Sequence, residues 1–398
     1  MFVARILFFL GCLTIAQLGW RPVLSLTISD YLFFASFVIA LISSVKSQFS
    51  YNLPKLFLIG IFIYSLGVLL TFPFINNQET EIWTAVILAK VIYLLLFWMW
   101  LGTQVLTTPR HIQIALLLFS ISCLISAIFG LTESLPYPWS RPIGTAEHPN
   151  QFGATCALGL AIGYFSLIGK KVYPIKKSVL SAIISALILV FCTSGLLASK
   201  SIGSIFAIVA AFIYWIYTEK YRIKSVSIFS LTMTILIIGL LYAATVYHQT
   251  EYSLIERVMT QSNVNDPNTT LRIRIDTYVD AYNTILKNPI VGTGIGTPTI
   301  TGYSVHNIFL KVLFESGLLS LIGIIIIIGS AFLLLYRTNK LPLPNNISGL
   351  PFVFFITFLI YFVITLKEPI LYNRFGWFPF LLCLAFIRII SRNSYDKN

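Results

Sequence analysis

The stretch GYSVHNIFLKVLFESGLLSLIGIIIIIGSAFLLLY, residues 302–336, joins a long apolar run to three ionisable side chains at its start. A helix needs about 20 predominantly apolar residues to cross the hydrocarbon core of a membrane, and this run supplies them. The three ionisable residues at the start of this run are His306, Lys311 and Glu315. Because burying such a group in lipid costs roughly 2.5–3.5 kcal/mol, we expect these side chains to mark a functional site.

The composition of the whole chain is typical of an integral membrane protein. Of the 398 residues, 57% are hydrophobic and 10% are charged, against about 25% charged in soluble domains. The net charge of +13 does not favour a nucleic-acid partner, since basic residues on membrane proteins record orientation and contact with anionic lipids. The five cysteines stand singly, so the sequence predicts neither a zinc site nor a disulfide framework.

Apolar runs recur along the chain and predict an all-α integral membrane protein with about twelve transmembrane helices in a single polytopic domain, residues 1–398. The predicted spans are 3–20, 23–45, 56–74, 84–102, 112–131, 151–168, 179–198, 202–217, 226–247, 306–336, 351–366 and 370–390. The tenth is too long for one crossing, so its first two turns are expected at the membrane interface. The seventh and eighth, on either side of residues 199–201, have one broken segment as the alternative.

The distribution of charge predicts that both termini are cytoplasmic. Lys and Arg residues fill the loops that then lie inside, including residues 170–177 and 219–224, while the facing outer loop 75–83 holds Glu79 and Glu81 and no basic residue. This is the positive-inside pattern. The first apolar run resembles a signal peptide, but its removal would invert every later loop, so we interpret it as an uncleaved first span.

A large outer loop, residues 248–305, is inserted between the ninth and tenth spans, and part of it reads as a helical cap. In TLRIRIDTYVDAYNTILKNP, residues 270–289, apolar side chains recur at helical spacing and Pro289 ends the pattern. The residues on the predicted apolar face are Leu271, Ile275, Tyr278, Tyr282 and Ile285.

Several basic residues remain on the outer side, against the topology signal. They are Arg141, Lys200, Lys367 and Arg374 in short loops or at span ends, and Arg272 and Arg274 on the loop helix. We interpret several of them as converging on an anionic ligand such as a pyrophosphate, since the arginine fork matches phosphate oxygens and lysine supplies a point charge. The alternative is contact with lipid headgroups or with nearby acids, which are Glu133, Glu147, Asp276, Asp280 and Glu368.

The remaining polar residues near the tenth span separate into two groups. Lys311 and Glu315 lie four residues apart and can pair with each other, whereas His306 points away from Glu315 and stays available for proton transfer. The alternative for His306 is a structural cap at the helix start. The glycines of NPIVGTGIGT, residues 288–297, lack the strand and βαβ context of a nucleotide site, so we predict a tight turn whose glycines allow positive φ angles or close backbone approach.

Four motifs, taken in order, resemble the O-antigen ligase and polymerase superfamily of bacterial envelope enzymes. They are RPIGTAEHPNQFG (141–153), SKSIG (199–203), LRIRIDTYVDAYNTILKNPIVGTGIG (271–296), and HN at 306–307 followed by Gly317. The last matches the ligase pattern H-[NSQ]-x9-G-x-x-[GTY] up to Ser320, where the final class is missed. Order and placement together make the resemblance specific, and it covers most of the chain.

The resemblance implies a GT-C-like membrane glycosyltransferase of the bacterial inner membrane, with its active site facing the periplasm and no metal or other cofactor. The implied donor is a glycan on undecaprenyl pyrophosphate, transferred with inversion to a sugar hydroxyl. By motif, His306 and Arg272 would be catalytic. The residues that would bind the pyrophosphate or glycan are Arg141, Lys200, Arg274, Asn150, Asn307 and Arg374.

The acceptor stays open between two classes. In a polymerase of O-antigen or exopolysaccharide it is a second lipid-linked glycan, with a chain-length regulator as a partner; in a ligase of lipopolysaccharide biosynthesis it is lipid A–core. The lysine of SKS and the HPN form of the first motif favour the polymerase. A lipid-linked sugar flippase is the alternative from another class, but it predicts internal repeats and polar residues at the bilayer midplane, and no repeat is visible here.

Overall fold

The computed structural model describes residues 1–21, 26–44, 53–75, 77–136, 140–168, 172–174, 179–219, 269–344, 347–370 and 372–395. The regular elements in these ranges are helices: α1 (Phe2–Leu13), α2 (Ile28–Ser44), α3 (Lys55–Thr71), α4 (Gln78–Ile92), α5 (Met99–Val105), α6 (Pro109–Ser134), α7 (Pro149–Leu167), α8 (Val179–Ala198), α9 (Ile202–Glu219), α10 (Thr270–Lys287), α11 (Ile308–Asn339), α12 (Leu350–Thr365) and α13 (Arg374–Tyr395). A 3₁₀ turn, Phe72–Phe74, follows α3, and a π-helical stretch, Tyr93–Trp98, joins α4 to α5.

Within the described ranges, six helical segments are long and apolar enough to cross a membrane. They are Lys55–Phe74, Gln78–Val105, Pro109–Ser134, Val179–Ala198, Ile308–Asn339 and Arg374–Arg392. Four further apolar helices are shorter: Phe2–Leu13, Ile28–Ser44, Ile202–Thr218 and Leu350–Thr365. The all-helical, multi-pass class is therefore confirmed, whereas the count of about twelve stays a prediction. The ninth predicted span, 226–247, and the loop residues 248–268 lie outside the described residues.

The first predicted span, 3–20, is wrong at its end, because α1 stops at Leu13. The chain then leaves the helix to pair with Ser122 in the middle of α6. Gln17 Nε2 donates to the Ser122 carbonyl at 3.0 Å, Ser122 Oγ donates to Gln17 Oε1 at 2.7 Å, and the Ala16 N–H donates to Ser122 Oγ at 3.0 Å. Non-helical backbone is tolerated within a membrane protein where protein partners satisfy its polar groups.

Helix α11 is interrupted at Gly317, which has φ 76° and ψ −178°. The break admits the turn that follows α10. The Leu318 N–H donates to the Pro289 carbonyl at 3.2 Å, and the Gly294 N–H donates to the Glu315 carbonyl at 2.8 Å. The glycines of this turn, Gly292, Gly294 and Gly296, have φ angles of 70°, 96° and 88°, which confirms the predicted tight turn.

After the break, α11 packs closely along α3. A Cβ atom at Gly67 would lie 2.5 Å from the Ser320 backbone nitrogen, and one at Gly323 would lie 2.3 Å from the Tyr64 nitrogen. Small residues let membrane helices approach in this way. Ser320, the position where the ligase pattern is missed, is fully buried here and donates to the Tyr64 carbonyl at 3.2 Å.

The loop helix α10 begins and ends as predicted, but only part of its predicted apolar face is buried. Ala281 and Ile285 form a small core with Val305 and Phe314 at the start of α11, and Tyr278 packs against it. Leu271 and Tyr282 are instead 37% and 57% exposed. Which face of α10 is buried depends on the position of the first turns of α11. Helical periodicity alone cannot predict that position.

Candidate active site

The loop between α6 and α7 carries the first predicted site residue, Arg141. A carboxylate at the end of α6 stabilises the conformation of this loop. Glu133 Oε2, at the end of α6, accepts hydrogen bonds from the N–H groups of Ile143 at 3.0 Å and Gly144 at 2.9 Å. Gly144 has a φ of 57°, and a Cβ atom there would lie 2.8 Å from the Ser126 carbonyl oxygen. Glycine is therefore required for this fold of the loop.

A chain of polar contacts runs from this loop to His306. The Arg141 guanidinium donates through Nε to the Ser199 carbonyl at 2.9 Å and through Nη2 to Asn150 Oδ1 at 2.7 Å. Asn150 Nδ2 donates to Glu368 Oε2 at 2.9 Å. The same oxygen lies 3.5 Å from His306 Nδ1. The structure thus brings together three predicted residues, Arg141, Asn150 and His306, through one carboxylate that was not predicted.

The SKS segment lies beside Arg141, between α8 and α9. Lys200 is 4% exposed and has a φ of 50°, a left-handed conformation that is unusual outside glycine. The Lys367 side chain covers the start of α9, where a Cβ atom at Gly203 would lie 2.8 Å from Lys367 Cδ. Two lysines from different loops therefore reach the same corner of the helix bundle.

His306 is not the residue that caps the start of α11. The cap is Asn307, whose Oδ1 accepts from the N–H groups of Phe309 at 3.0 Å and Leu310 at 3.1 Å, and whose Nδ2 donates to the Leu366 carbonyl at 3.0 Å. His306 precedes the cap with a side chain that is 28% exposed. Among the described residues, the imidazole is paired with Glu368, whose Oε2 lies 3.5 Å from Nδ1.

Glu368 is the residue that sequence reasoning missed as a site residue, since it was considered only as one of several acids able to neutralise nearby cations. Its side chain is 17% exposed. Burial raises the pKa of this carboxyl, but the hydrogen bonds and positive charge of His306, together with the Asn150 amide, outweigh burial and hold the pKa below its ordinary value. The sequence feature that could have identified Glu368 as a site residue is its position in a short loop between two predicted cations, Lys367 and Arg374.

Replacing Glu368 with glutamine is expected to lower stability by about 1–2 kcal/mol near neutral pH, because a charged partner is lost. A lowered pKa means that the ionised carboxylate contributes stability that is present above the ordinary glutamate pKa and is lost as pH falls through the folded value. The Tm difference between wild type and E368Q should therefore be constant above about pH 6 and should shrink below about pH 4. A difference of the same size at all pH values would contradict the ionic role of Glu368.

The two arginines of α10 differ in their surroundings. Arg272 Nε lies 3.1 Å from Asp276 Oδ2, and both side chains are nearly half exposed. Arg274 Nε is buried and has no hydrogen-bond partner among the described residues. One turn further on, burial raises the pKa of Tyr278, the Arg274 charge lowers it, and the Glu368 charge raises it. Arg274 and Glu368 thus both affect the pKa of Tyr278, whereas Arg272 is paired with Asp276.

Two other groups of predicted residues lie apart from this network. Arg374 forms an ion pair with Asp30 at the start of α2, and within the described ranges no contact joins it to Arg141, Asn150 or His306. Lys311 Nζ lies 3.6 Å from Glu315 Oε1, which also accepts from the Gly296 N–H at 3.1 Å. The predicted Lys311–Glu315 pairing is confirmed, and the pair holds the glycine turn.

A metal site is not formed by the usual ligands in the described part of the chain, where no group of three or more His, Cys, Asp or Glu side chains could hold an ion. The groups that lie together are instead Arg141 with the nearby Lys200 and Lys367, and His306 with Glu368, which Asn150 links to Arg141. Such a set can bind an anion and move a proton beside it.

The part of the chain from α8 to the first half of α11 holds SKS, the arginines of α10 and the HN pair. Residues 186–325 match the O-antigen ligase family. This match confirms the family resemblance for the three motifs that it includes, at 199–203, 271–296 and 306–317, and implies a membrane glycosyltransferase that uses a lipid-linked glycan donor and an acceptor. A comparison with curated proteins finds no match.

The O-antigen ligase match covers about a third of the chain and includes Lys200, Arg274 and His306. Arg141, Asn150 and Glu368 lie outside the matched residues. The tertiary structure adds these three to the region by direct hydrogen bonds or ion pairing.

Proposed function

We propose that the protein transfers a glycan from undecaprenyl pyrophosphate to a sugar hydroxyl at the periplasmic face of the bacterial inner membrane, with both termini cytoplasmic. The observation that carries this proposal is the linked chain from Arg141 through Asn150 and Glu368 to His306. It links a cationic group to an imidazole whose Nδ1 lies 3.5 Å from a carboxylate oxygen. The family match supports the general class of reaction.

In the proposed reaction His306 is the general base. Its Nε2 takes the proton of the acceptor hydroxyl as the oxygen attacks the anomeric carbon of the donor, and the ionised Glu368 stabilises the imidazolium that forms. The carbon–oxygen bond to the pyrophosphate breaks with its electron pair, and a single displacement inverts the anomeric centre.

The cations of the site act on the leaving group. As the glycosidic bond breaks, the lipid pyrophosphate gains negative charge, and in this proposal the guanidinium of Arg274 and the ammonium of Lys200 stabilise it. Arg141 is largely engaged by Ser199 and Asn150, so we assign it the positioning of the network together with contact to the glycan. These side chains supply the positive charge in a metal-independent reaction.

Truncation of the two α10 arginines is expected to have unequal effects. Arg274→Ala should lower kcat/KM by about 100-fold, the effect of removing one donor that stabilises developing charge. Arg272→Ala should cost about tenfold or less, since Asp276 already compensates its charge. Initial rates of glycan transfer by the two purified variants would show which arginine contributes more to the reaction. A larger loss for Arg272→Ala would show that α10 presents its other side to the donor, as the motif comparison predicts.

The choice of acceptor is tested by reconstitution. The purified protein is incubated with an undecaprenyl-pyrophosphate-linked repeat unit, with and without lipid A–core. We prefer the polymerase, so a ladder of products should form without lipid A–core. Transfer that requires lipid A–core would assign the ligase instead. Absence of product under both conditions, from protein with a cooperative thermal transition, would refute the glycosyltransferase proposal.

A further inference from the structure

A polar cavity separate from the contacts of the candidate active site lies between the starts of α2 and α13 and the middle of the α4–α5 helix. Its volume is about 230 Å³. Charged side chains on its wall are Arg21, Asp30, Lys90, Glu147 and Arg374. Its described lining contains none of Arg141, Lys200, His306 or Glu368.

Two of the three cations in this cavity are neutralised by acids. Arg374 pairs with Asp30, and each side chain is 14% exposed. The other oxygen of Asp30 accepts from both the N–H and the hydroxyl of Thr27, each at 2.7 Å. Arg21 forms an ion pair with Glu147. One full positive charge, that of Lys90, therefore remains.

Lys90 is the unusual member of the group. It lies 12 residues after Gln78 within a helical segment long and apolar enough to span a membrane, which places it about 18 Å along the helix axis. Among the described residues its ammonium group makes no ion pair or hydrogen bond. A lysine without such a partner in an apolar helical segment is costly and is by default a functional-site hypothesis.

Another donor in the cavity wall is also unsatisfied. The Asn373 side-chain nitrogen is buried and has no hydrogen-bond partner among the described residues. Buried polar groups normally have partners. The cavity wall thus presents the Lys90 ammonium group and the Asn373 amide N–H₂ group, flanked by two arginines. These donors favour the binding of an anion with several acceptor oxygens. Phosphate fits this donor set, since both guanidinium and ammonium groups bind its oxygens.

We propose that this cavity is a second phosphate site, which takes the phosphate group of a membrane lipid. Its volume is several times the roughly 30 Å³ of a water molecule, enough for a phosphate and the first atoms of its substituent. Five residues of chain separate Arg374 from Glu368, and Glu147 lies three residues before Asn150, so two loops form walls of both sites. The occupant favoured by this neighbourhood is the acceptor lipid, an assignment that rests on the proposed function.

The test compares lipid binding by native mass spectrometry of the purified full-length chain in neutral detergent. The probes are undecaprenyl phosphate, phosphatidylglycerol and inorganic phosphate. The wild type should retain two molecules of undecaprenyl phosphate, and Lys90→Gln should weaken the second by tenfold or more. Lys55→Gln, which changes an exposed lysine at the start of α3, is the matched control and should behave as the wild type.

Asp30→Asn separates ligand binding from a structural role. It removes a negative charge from the cavity wall and should strengthen the second binding step about threefold or more, whereas a purely structural role predicts weakening in both Asp30→Asn and Lys90→Gln. Thermal unfolding in the same detergent shows that each variant is folded.

The three probes assign the source of the phosphate. If Lys90→Gln weakens undecaprenyl phosphate binding alone, the occupant is the acceptor lipid; if it weakens phosphatidylglycerol binding, the occupant is a bulk phospholipid. A response of inorganic phosphate alone overturns the lipid assignment, and unchanged binding of all three probes overturns the site. His306→Ala, which removes the proposed base, should keep both binding steps, so failure of the proposed reaction leaves this test standing.

Discussion

Replacement of His306 by alanine is expected to reduce glycan transfer by about 10²–10⁴-fold, the contribution typical of a general base. The loss should appear in kcat, because the proposed donor contacts come from Arg274 and Lys200 on other elements. Folding should be preserved, since Asn307 rather than His306 caps α11 and the imidazole is partly exposed. The measurements are product formation by purified protein and binding of undecaprenyl phosphate.

His111→Ala is the matched control for this experiment. His111 lies in the first turn of α6, at the opposite end of that helix from Glu133, so its loss should leave transfer near the wild-type rate. Activity of His306→Ala above about a tenth of wild type would remove the general-base role and leave His306 as a positioning residue only.

Replacement of Gly317 by alanine is expected to give the largest loss of stability. A Cβ atom there would lie 2.0 Å from the Ile290 carbonyl oxygen, and the φ of 76° is disfavoured for any side-chain-bearing residue. The backbone strain alone costs of order 1–3 kcal/mol, and the overlap would displace the turn that hydrogen-bonds to Glu315. We expect little folded protein and, for what remains, a Tm well below that of the wild type.

Gly329→Ala provides the comparison within the same helix. A Cβ atom at Gly329 meets no atom within 4 Å, and alanine is favoured over glycine inside a helix by about 0.5–1 kcal/mol. This variant should therefore be as stable as the wild type or slightly more so. Equal Tm values for the two variants would show that the break in α11 is not required for the fold.

Much of the helical layout could be predicted because it depends on local properties. Each predicted span other than 226–247 contains an apolar helix, and 179–198 matches α8 residue for residue. Backbone groups in an apolar run must be satisfied within the run, which favours a helix wherever the run lies. The end of α1 escaped prediction because Ser122, more than 100 residues away, supplies its partners.

In the candidate site, too, the residues in local motifs could be predicted and the contacts between distant residues could not. Arg141, Asn150 and His306 were named from motifs, and their side chains do meet. Glu368, which links Asn150 to His306, lies 218 residues from Asn150, and no spacing rule connects them. Arg374 was predicted for the same site, but its charge is taken by Asp30, a partner that becomes available only when the fold brings the starts of α2 and α13 together.

The sequence by itself determined that this chain is a multi-pass helical membrane protein, which family it resembles, and which charged residues require explanation. These follow from hydropathy, charge and motif order, all of which are properties of neighbouring residues. Only the tertiary structure decided that Glu368 lies beside His306, that Arg272 pairs with Asp276, and that Lys90 lines a polar cavity without an ion-pair partner among the described residues. Ion pairs and hydrogen bonds form between whichever groups helix packing brings within about 3–4 Å, and that distance is set by the fold as a whole.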